Sequence, residues 1–150
     1  MIWLDLVTSV TVVLSEQRLY ATTESGQELS FVVSTGAEAT PTPVMSTEIE
    51  RKYEEATLIG PGYAIQGVPW IMCPKDNPEY CIHPNLSNNP LGEPHSLGCV
   101  RLSYKDAEEL FNLVEEGTPF IVVDEITRET GGAEPDWVEP GGDLQEGWLS

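Results

Sequence analysis

Only one segment of this chain reads as a helix, and that limits the fold more than any other feature of its 150 residues. The segment is "SYKDAEELFNLVEEG", Ser103 to Gly117. Ala107, Leu110, Phe111 and Val114 fall at i, i+3, i+4 and i+7 and make a single apolar stripe. Ser103 followed three residues later by Asp106 is a capping signature, and Gly117 suits the left-handed position that stops a helix. Everything else is extended or turn, so the chain must build its core mainly from strands.

The strands are clearest at the start. "VTSVTVVL" is rich in β-branched residues, "QRLYATTE" follows the turn-prone pair Ser15-Glu16, and "ELSFVV" places Leu29, Phe31 and Val33 on one face. Between the last two, "ESGQ" signals a two-residue hairpin at Ser25-Gly26, which makes a three-stranded meander. "STGAEATPTPV" is expected to be irregular, because Pro41 and Pro43 fix φ and hold their predecessors extended. From Val44 to about Ile82 the pattern predicts short extended pieces, broken at Gly60-Pro61-Gly62 and at the turn "PKDNPE". "TPFIVVD" after the helix reads as a fully buried strand. The expected fold is mostly β with one principal helix, a sandwich or open barrel of mixed strands. Residues 1–126 form the domain, and the acidic, Gly- and Pro-rich tail 127–150 is expected to be largely disordered, with Trp137 and Trp148 able to dock on the domain.

Seven basic against 25 acidic residues give a formal net charge of -18. Phosphate binding needs clustered Lys and Arg, so nucleic acid is excluded as a partner, and an anionic membrane surface is disfavoured for the same reason. No stretch has the apolar length of a transmembrane helix. The start lacks a signal-peptide pattern, since no basic residue precedes Arg18 and Asp5 interrupts the apolar run. Three cysteines leave at least one unpaired within the chain.

The chemistry gathers in "YCIHPNLSNNPLGEPHSLGCVRLS", Tyr80 to Ser103, which holds both histidines and two of the three cysteines. Cys99 stands shortly before the capped helix, where the positive end of the macrodipole would favour a thiolate. Gly98 permits an unusual turn that frees N–H groups to face an oxyanion. His83 ends an extended segment far enough upstream to fold back onto the sulfur, and a thiol with a neutral imidazole is the minimum set for acyl transfer. Arg101 suits a substrate carboxylate or a structural ion pair. Two other readings fit the residues alone. Cys99 and His83 can be a core thiol and a satisfied histidine. Alternatively Cys73, Cys81, His83, His95 and Cys99 can ligate zinc, although their spacing lacks the knuckle typical of such sites. Cys73 and Cys81 bracket the turn "PKDNPEY" and are placed either to form a disulfide or to remain two reduced thiols.

Ile82-His83 followed by Ser96-Leu97-Gly98-Cys99-Val100-Arg101 resembles the signature of the L,D-transpeptidase catalytic domain of the YkuD type, the cysteine enzymes that cross-link bacterial peptidoglycan. "VVLSEQRLYATTESGQELSFVVSTGAEATPTPV" and "VPWIMCPKDNPEYCIH" resemble that family's opening strands and the strand pair before its histidine. The likeness runs from about Val7 to Asp124. It implies Cys99 as nucleophile and His83 as base. A backbone carbonyl from the Ser96–Arg101 stretch would orient the imidazole. Ser96, Gly98, Arg101 and Tyr80 would serve substrate or oxyanion, with local turn or core roles as the alternatives for Ser96 and Tyr80. It further implies peptidoglycan stem peptides as partners and a place in the cell envelope or outside the cell; no metal is expected from the cysteine and histidine spacing, and no cofactor and a monomer are expected. Cys99 would cleave an L,D-bond with release of D-Ala and pass the acyl group to a side-chain amine. Water as acceptor would make an L,D-carboxypeptidase, and a non-catalytic zinc- or wall-binding module is the reading from another class. Pro84 stands where that family usually has Gly, and Leu97 where it often has His. His95, one residue before Ser96, is expected to be an exposed loop histidine at the rim.

Overall fold

A computed structural model describes residues 4–60 and 62–126. The strands are β1 (Val7–Val13), β2 (Arg18–Thr23), β3 (Glu28–Val32), β4 (Met45–Gly60), β5 (Tyr63–Pro74), β6 (Ile82–Pro84), β7 (Val100–Leu102) and β8 (Pro119–Val123), with one helix, α1 (Tyr104–Leu113). They form a mixed sheet in the order β3-β2-β1-β8-β4-β5-β6-β7, in which β1 with β8 and β6 with β7 run parallel. The opening meander is present as β1–β3. The hairpin after Thr23 differs from a two-residue turn. Thr23 N–H reaches Gln27 O and Gly26 N–H reaches Thr23 O, so the loop has three residues, with Gly26 left-handed at φ 90°. That is the type I turn with a glycine bulge, the next commonest hairpin solution.

The largest departure lies in residues 45–74. In place of short pieces there is one long hairpin, β4 of 16 residues paired with β5 of 12. Much of it is exposed, so it lacks the alternation of a half-buried strand and cannot be recognised by hydrophobic period. β4 belongs to two ladders. Met45–Glu48 pairs with β8, and from Ile49 the strand pairs with β5 after a register shift between Ile49 and Arg51. A shift of this kind bends a strand, and here it turns the sheet. At the far side Ser34, just past β3, exchanges backbone bonds with Arg101 of β7 at 3.0 and 2.9 Å. The two ends of the sheet therefore meet, and the result is a partly closed barrel.

The alternating residues of these strands fill the interior: Val10 and Val12 of β1, Leu19 and Ala21 of β2, Ile82, Val100 and Leu102 of β6 and β7, and Phe120 and Val122 of β8. Ala107, Leu110, Phe111 and Val114 bring the helix stripe into the same core. Ser103 caps α1, its Oγ accepting from Asp106 N–H at 3.0 Å. Gly117 does not stop the helix. Extended Val114 ends it, and Gly117 lies in the next turn, where its N–H reaches Ile49 O. The helix C-terminus is satisfied from outside by Lys52 of β4, whose Nζ donates to Val114 O at 2.6 Å and sits 4.2 Å from the centre of the Phe111 ring. Among the described residues no helix is long and apolar enough to cross a membrane. The expected disorder of 127–150 and the docking of Trp137 and Trp148 lie outside the described residues.

Candidate active site

β6 and β7 are short parallel neighbours in the register Ile82 to Val100, His83 to Arg101 and Pro84 to Leu102. Because Ile82, Val100 and Leu102 are buried in the core, strand alternation turns His83, Cys99 and Arg101 to the other face. That face is the floor of a cleft of about 260 Å³, lined also by Leu58, Tyr63, Ile65, Leu86, Ser87, Ser96 and Leu97. Two-residue periodicity thus brings the thiol, the imidazole and the guanidinium together.

The turn before β7 is tightly hydrogen-bonded. Ser96 Oγ accepts from Gly98 N–H at 3.0 Å and donates to Cys99 O at 2.5 Å, so its hydroxyl closes the turn. Gly98 N–H is therefore committed and does not face the cleft, contrary to the sequence expectation. Cys99 N–H has no hydrogen-bond partner among the described residues. Gly98 has φ 134°, and a Cβ there would lie 2.9 Å from the Tyr80 ring, so only glycine fits beneath it. Tyr80 belongs to a 3₁₀ turn, Pro78–Tyr80, and is half-buried against Gly98; it lies neither in a core strand nor in the cleft lining.

The irregular stretch 34–42 forms the support of this turn. Ala37 N–H and Thr40 Oγ1 donate to Ser96 O at 2.8 and 3.0 Å, and Thr42 Oγ1 donates to Gly98 O at 2.6 Å while accepting from Gly36 N–H at 2.9 Å. At Gly36 a Cβ would meet Thr40 O at 2.0 Å. The S-T-G and T-P-T-P signals are therefore a backbone requirement of the Cys99 turn.

His83 is 5% exposed, and its Nδ1 lies 2.7 Å from Pro84 O. A carbonyl can only accept, so Nδ1 carries the proton and Nε2 keeps its lone pair. The orienting carbonyl comes from the neighbouring Pro84 and not, as the resemblance implied, from the Ser96–Arg101 stretch. Burial lowers the imidazole to a pKa of about 4, partly opposed by the Pro84 bond. The Cys99 thiol, 8% exposed, donates to Glu79 O at 3.4 Å. Burial pushes its pKa up to about 11, with Arg101 among the groups that pull it down. The expected helix-dipole effect is overruled, because β7 and Ser103 intervene before the helix starts at Tyr104. Near neutrality the cleft therefore holds a neutral thiol and a neutral imidazole.

Arg101 donates to Ser87 Oγ at 3.3 Å and, among the described residues, has no carboxylate within ion-pair distance. Burial lowers its pKa. Among the described residues this half-buried guanidinium therefore has no carboxylate to offset the cost of its burial. Tyr63 was not singled out by sequence. Burial raises its pKa, Cys99 adds to that rise and Arg101 opposes it. Its partners Leu58 and Ile65 come from the same hairpin, and no local pattern announces that the hairpin folds over Cys99. His95 is half-buried, with Nε2 3.3 Å from Glu93 Oε1, and does not line the cleft.

Cys73 and Cys81 form a disulfide, which leaves Cys99 as the free cysteine. The disulfide removes two of the five soft ligands that a zinc reading required. It also ties β5 to the start of β6, closing the loop that carries Glu79, whose carbonyl accepts from the Cys99 thiol, and Tyr80.

Comparison with known proteins follows the same lines. The family model of the L,D-transpeptidase catalytic domain, YkuD, matches residues 8–122. No curated protein matches the chain. Among solved structures, a cysteine-to-serine mutant of an Enterococcus faecium L,D-transpeptidase aligns at 27% identity and TM-score 0.70, covering 78% of this chain and 50% of that one. An L,D-transpeptidase from Mycobacterium tuberculosis aligns at 25% identity and TM-score 0.70, covering 77% and 57%. The Ldtfm–avibactam carbamoyl enzyme aligns at 27% identity and TM-score 0.71, covering 79% and 49%. The chain spans about half the length of these proteins.

Proposed function

The chain belongs to the L,D-transpeptidase catalytic domain family of the YkuD type, and from that premise we propose that it is a peptidoglycan L,D-transpeptidase working through a Cys99 thioester. His83 Nε2 takes the Cys99 proton as the sulfur attacks the carbonyl of the L-residue in the L,D-bond of a tetrapeptide stem. The carbon–nitrogen bond to D-Ala breaks, His83 returns the proton to the leaving amine, and the thioester remains. The side-chain amine of a neighbouring stem then attacks, gives its proton through His83 to the departing sulfur, and completes the cross-link. The open Cys99 N–H is the donor for the oxyanion in both steps. Arg101 holds the carboxylate of the departing D-Ala, two residues from the sulfur.

The observation that carries this reading is the cleft itself. It joins a buried thiol, an imidazole whose Nδ1 proton leaves Nε2 as the acceptor, and a cation with no carboxylate partner among the described residues. The disulfide supports an oxidising compartment outside the cytoplasm, where the wall substrate lies. Incubation with tetrapeptide stems tests the reading: D-Ala release together with a cross-linked dimer is expected. D-Ala release without dimer would assign the L,D-carboxypeptidase reaction, and no release would refute the proposal.

A further inference from the structure

β5 is far taller than its neighbour. On one edge it pairs with β4 from Tyr63 to Pro74, but on the other it meets β6 only at Met72 to Ile82. β6 runs antiparallel to β5 and ends at Pro84, level with Trp70, so the edge of β5 from Tyr63 to Pro69 extends past it with no strand alongside among the described residues. The cleft opens along that gap, since its lining combines His83 at the end of β6 with Tyr63 and Ile65 of β5.

The ladder fixes which backbone groups are open. In an antiparallel pair alternate residues turn both N–H and C=O to the partner strand, and the residues between turn both away. Gly60 pairs with Tyr63 across a two-residue connection and Leu58 pairs with Ile65, so these residues face β4. Ala64, between them, turns its N–H and C=O to the empty edge, and Gln66 follows before the register shift that places Val68 opposite Ala56. Ala64, Ile65, Gln66 and Gly67 are all exposed, and among the described residues none of their backbone groups is bonded outside the β4 ladder. An unpaired edge of this kind is a template for an extended chain.

We propose that the acyl-donor stem peptide binds as an added strand on the β5 edge at Ala64–Gln66. Its amides pair with Ala64, its side chains meet Tyr63, Ile65 and Leu58, and its terminal carboxylate reaches Arg101. The inference rests on the transpeptidase reading, and it assigns recognition of the donor to backbone groups of the hairpin. The edge is continuous with the cleft that holds the thiol, and the cation at its end complements a peptide carboxylate. A second copy of this chain pairing at the same edge is the competing occupant.

The test measures the affinity of a tetrapeptide stem for the full chain carrying Cys99→Ala, so that binding is read without turnover. Proline on an outward-facing edge position deletes one N–H and leaves the β4 ladder intact. Ala64→Pro is expected to weaken stem binding at least about tenfold, whereas Ala64→Val leaves it within about twofold. Independently of any protein variant, stems N-methylated at single amides upstream of the L,D-bond are expected to include at least one that binds about tenfold more weakly. Binding unchanged by both Ala64→Pro and the whole N-methyl series overturns the proposal. So does a stem that does not bind, or a wild-type dimer in sedimentation that Ala64→Pro dissolves. Stem binding with the expected losses but no D-Ala release by the wild-type chain would refute the parent reading and leave the edge assignment standing.

Discussion

The turn that carries Cys99 and the arm formed by β4 and β5 border the same cleft but are built in opposite ways. Around Cys99 the backbone N–H and C=O groups of Ser96, Gly98 and Arg101 all have partners, and most of those partners come from residues 34–42. Along the outer half of the arm each strand has a single neighbour, and Ile59 is 78% exposed. This buried network holds Cys99 in one geometry, as the proposed nucleophile requires. A surface that receives a substrate needs groups left open, and those are affordable only where water can reach them.

Removing the proposed base should have the largest effect. His83→Gln is expected to lower kcat/KM about 10²- to 10⁴-fold while the fold persists. The same residue links activity and stability to pH. Its folded pKa of about 4 lies below the ordinary 6.5, so the base form is available throughout the neutral range. Its stability contribution is full above pH 6.5 and is lost as pH falls towards 4, by roughly 3 kcal/mol over that window. Urea titrations across pH should show that decline in the wild type and a flatter profile in His83→Gln.

The next effect tests whether the turn is as constrained as its hydrogen bonds indicate. Gly36→Ala places a methyl against the Thr40 carbonyl, a backbone atom that cannot move without displacing Thr42 and Gly98. Destabilisation of about 3 kcal/mol is expected, with loss of acylation in the fraction that remains folded. A chemical-denaturation midpoint close to wild type would show that the network is slack. At the small end, Ile59→Ser on the arm should shift stability by less than about 0.5 kcal/mol, because the side chain is already in water. A larger loss would mean that the arm is more tightly packed than its ladder indicates.

The same contrast explains what could be read from the residues. β1 was legible from its β-branched residues, β3 from its alternation and α1 from its 3.6-residue stripe; β8, read as fully buried from its apolar run, buries only alternate residues, Phe120 and Val122, because its other face lies nearer the surface. The pair Ile82-His83 and the run from Ser96 to Arg101 were legible through their resemblance to the signature of the family whose model the chain matches. The long hairpin was not legible, since exposed strands carry no hydrophobic alternation, and so Tyr63, Ile65 and Leu58 were missed as cleft residues. The thiolate expectation for Cys99 failed for a related reason. Proximity to a helix in sequence is not proximity to its first turn, and burial of the sulfur is set by strands distant in the chain. Gly98 likewise was placed correctly as a turn residue, but its N–H was already taken by Ser96.

Acylation by the stem is expected on the Cys99 sulfur. Intact-mass and peptide-mapping spectrometry of the chain quenched during turnover of a tetrapeptide stem tests it most directly. The predicted result is one acyl adduct, confined to the peptide containing Cys99, formed with release of one D-Ala and absent from Cys99→Ala. D-Ala released while the Cys99 peptide stays unmodified, or an adduct on any other residue, would contradict it.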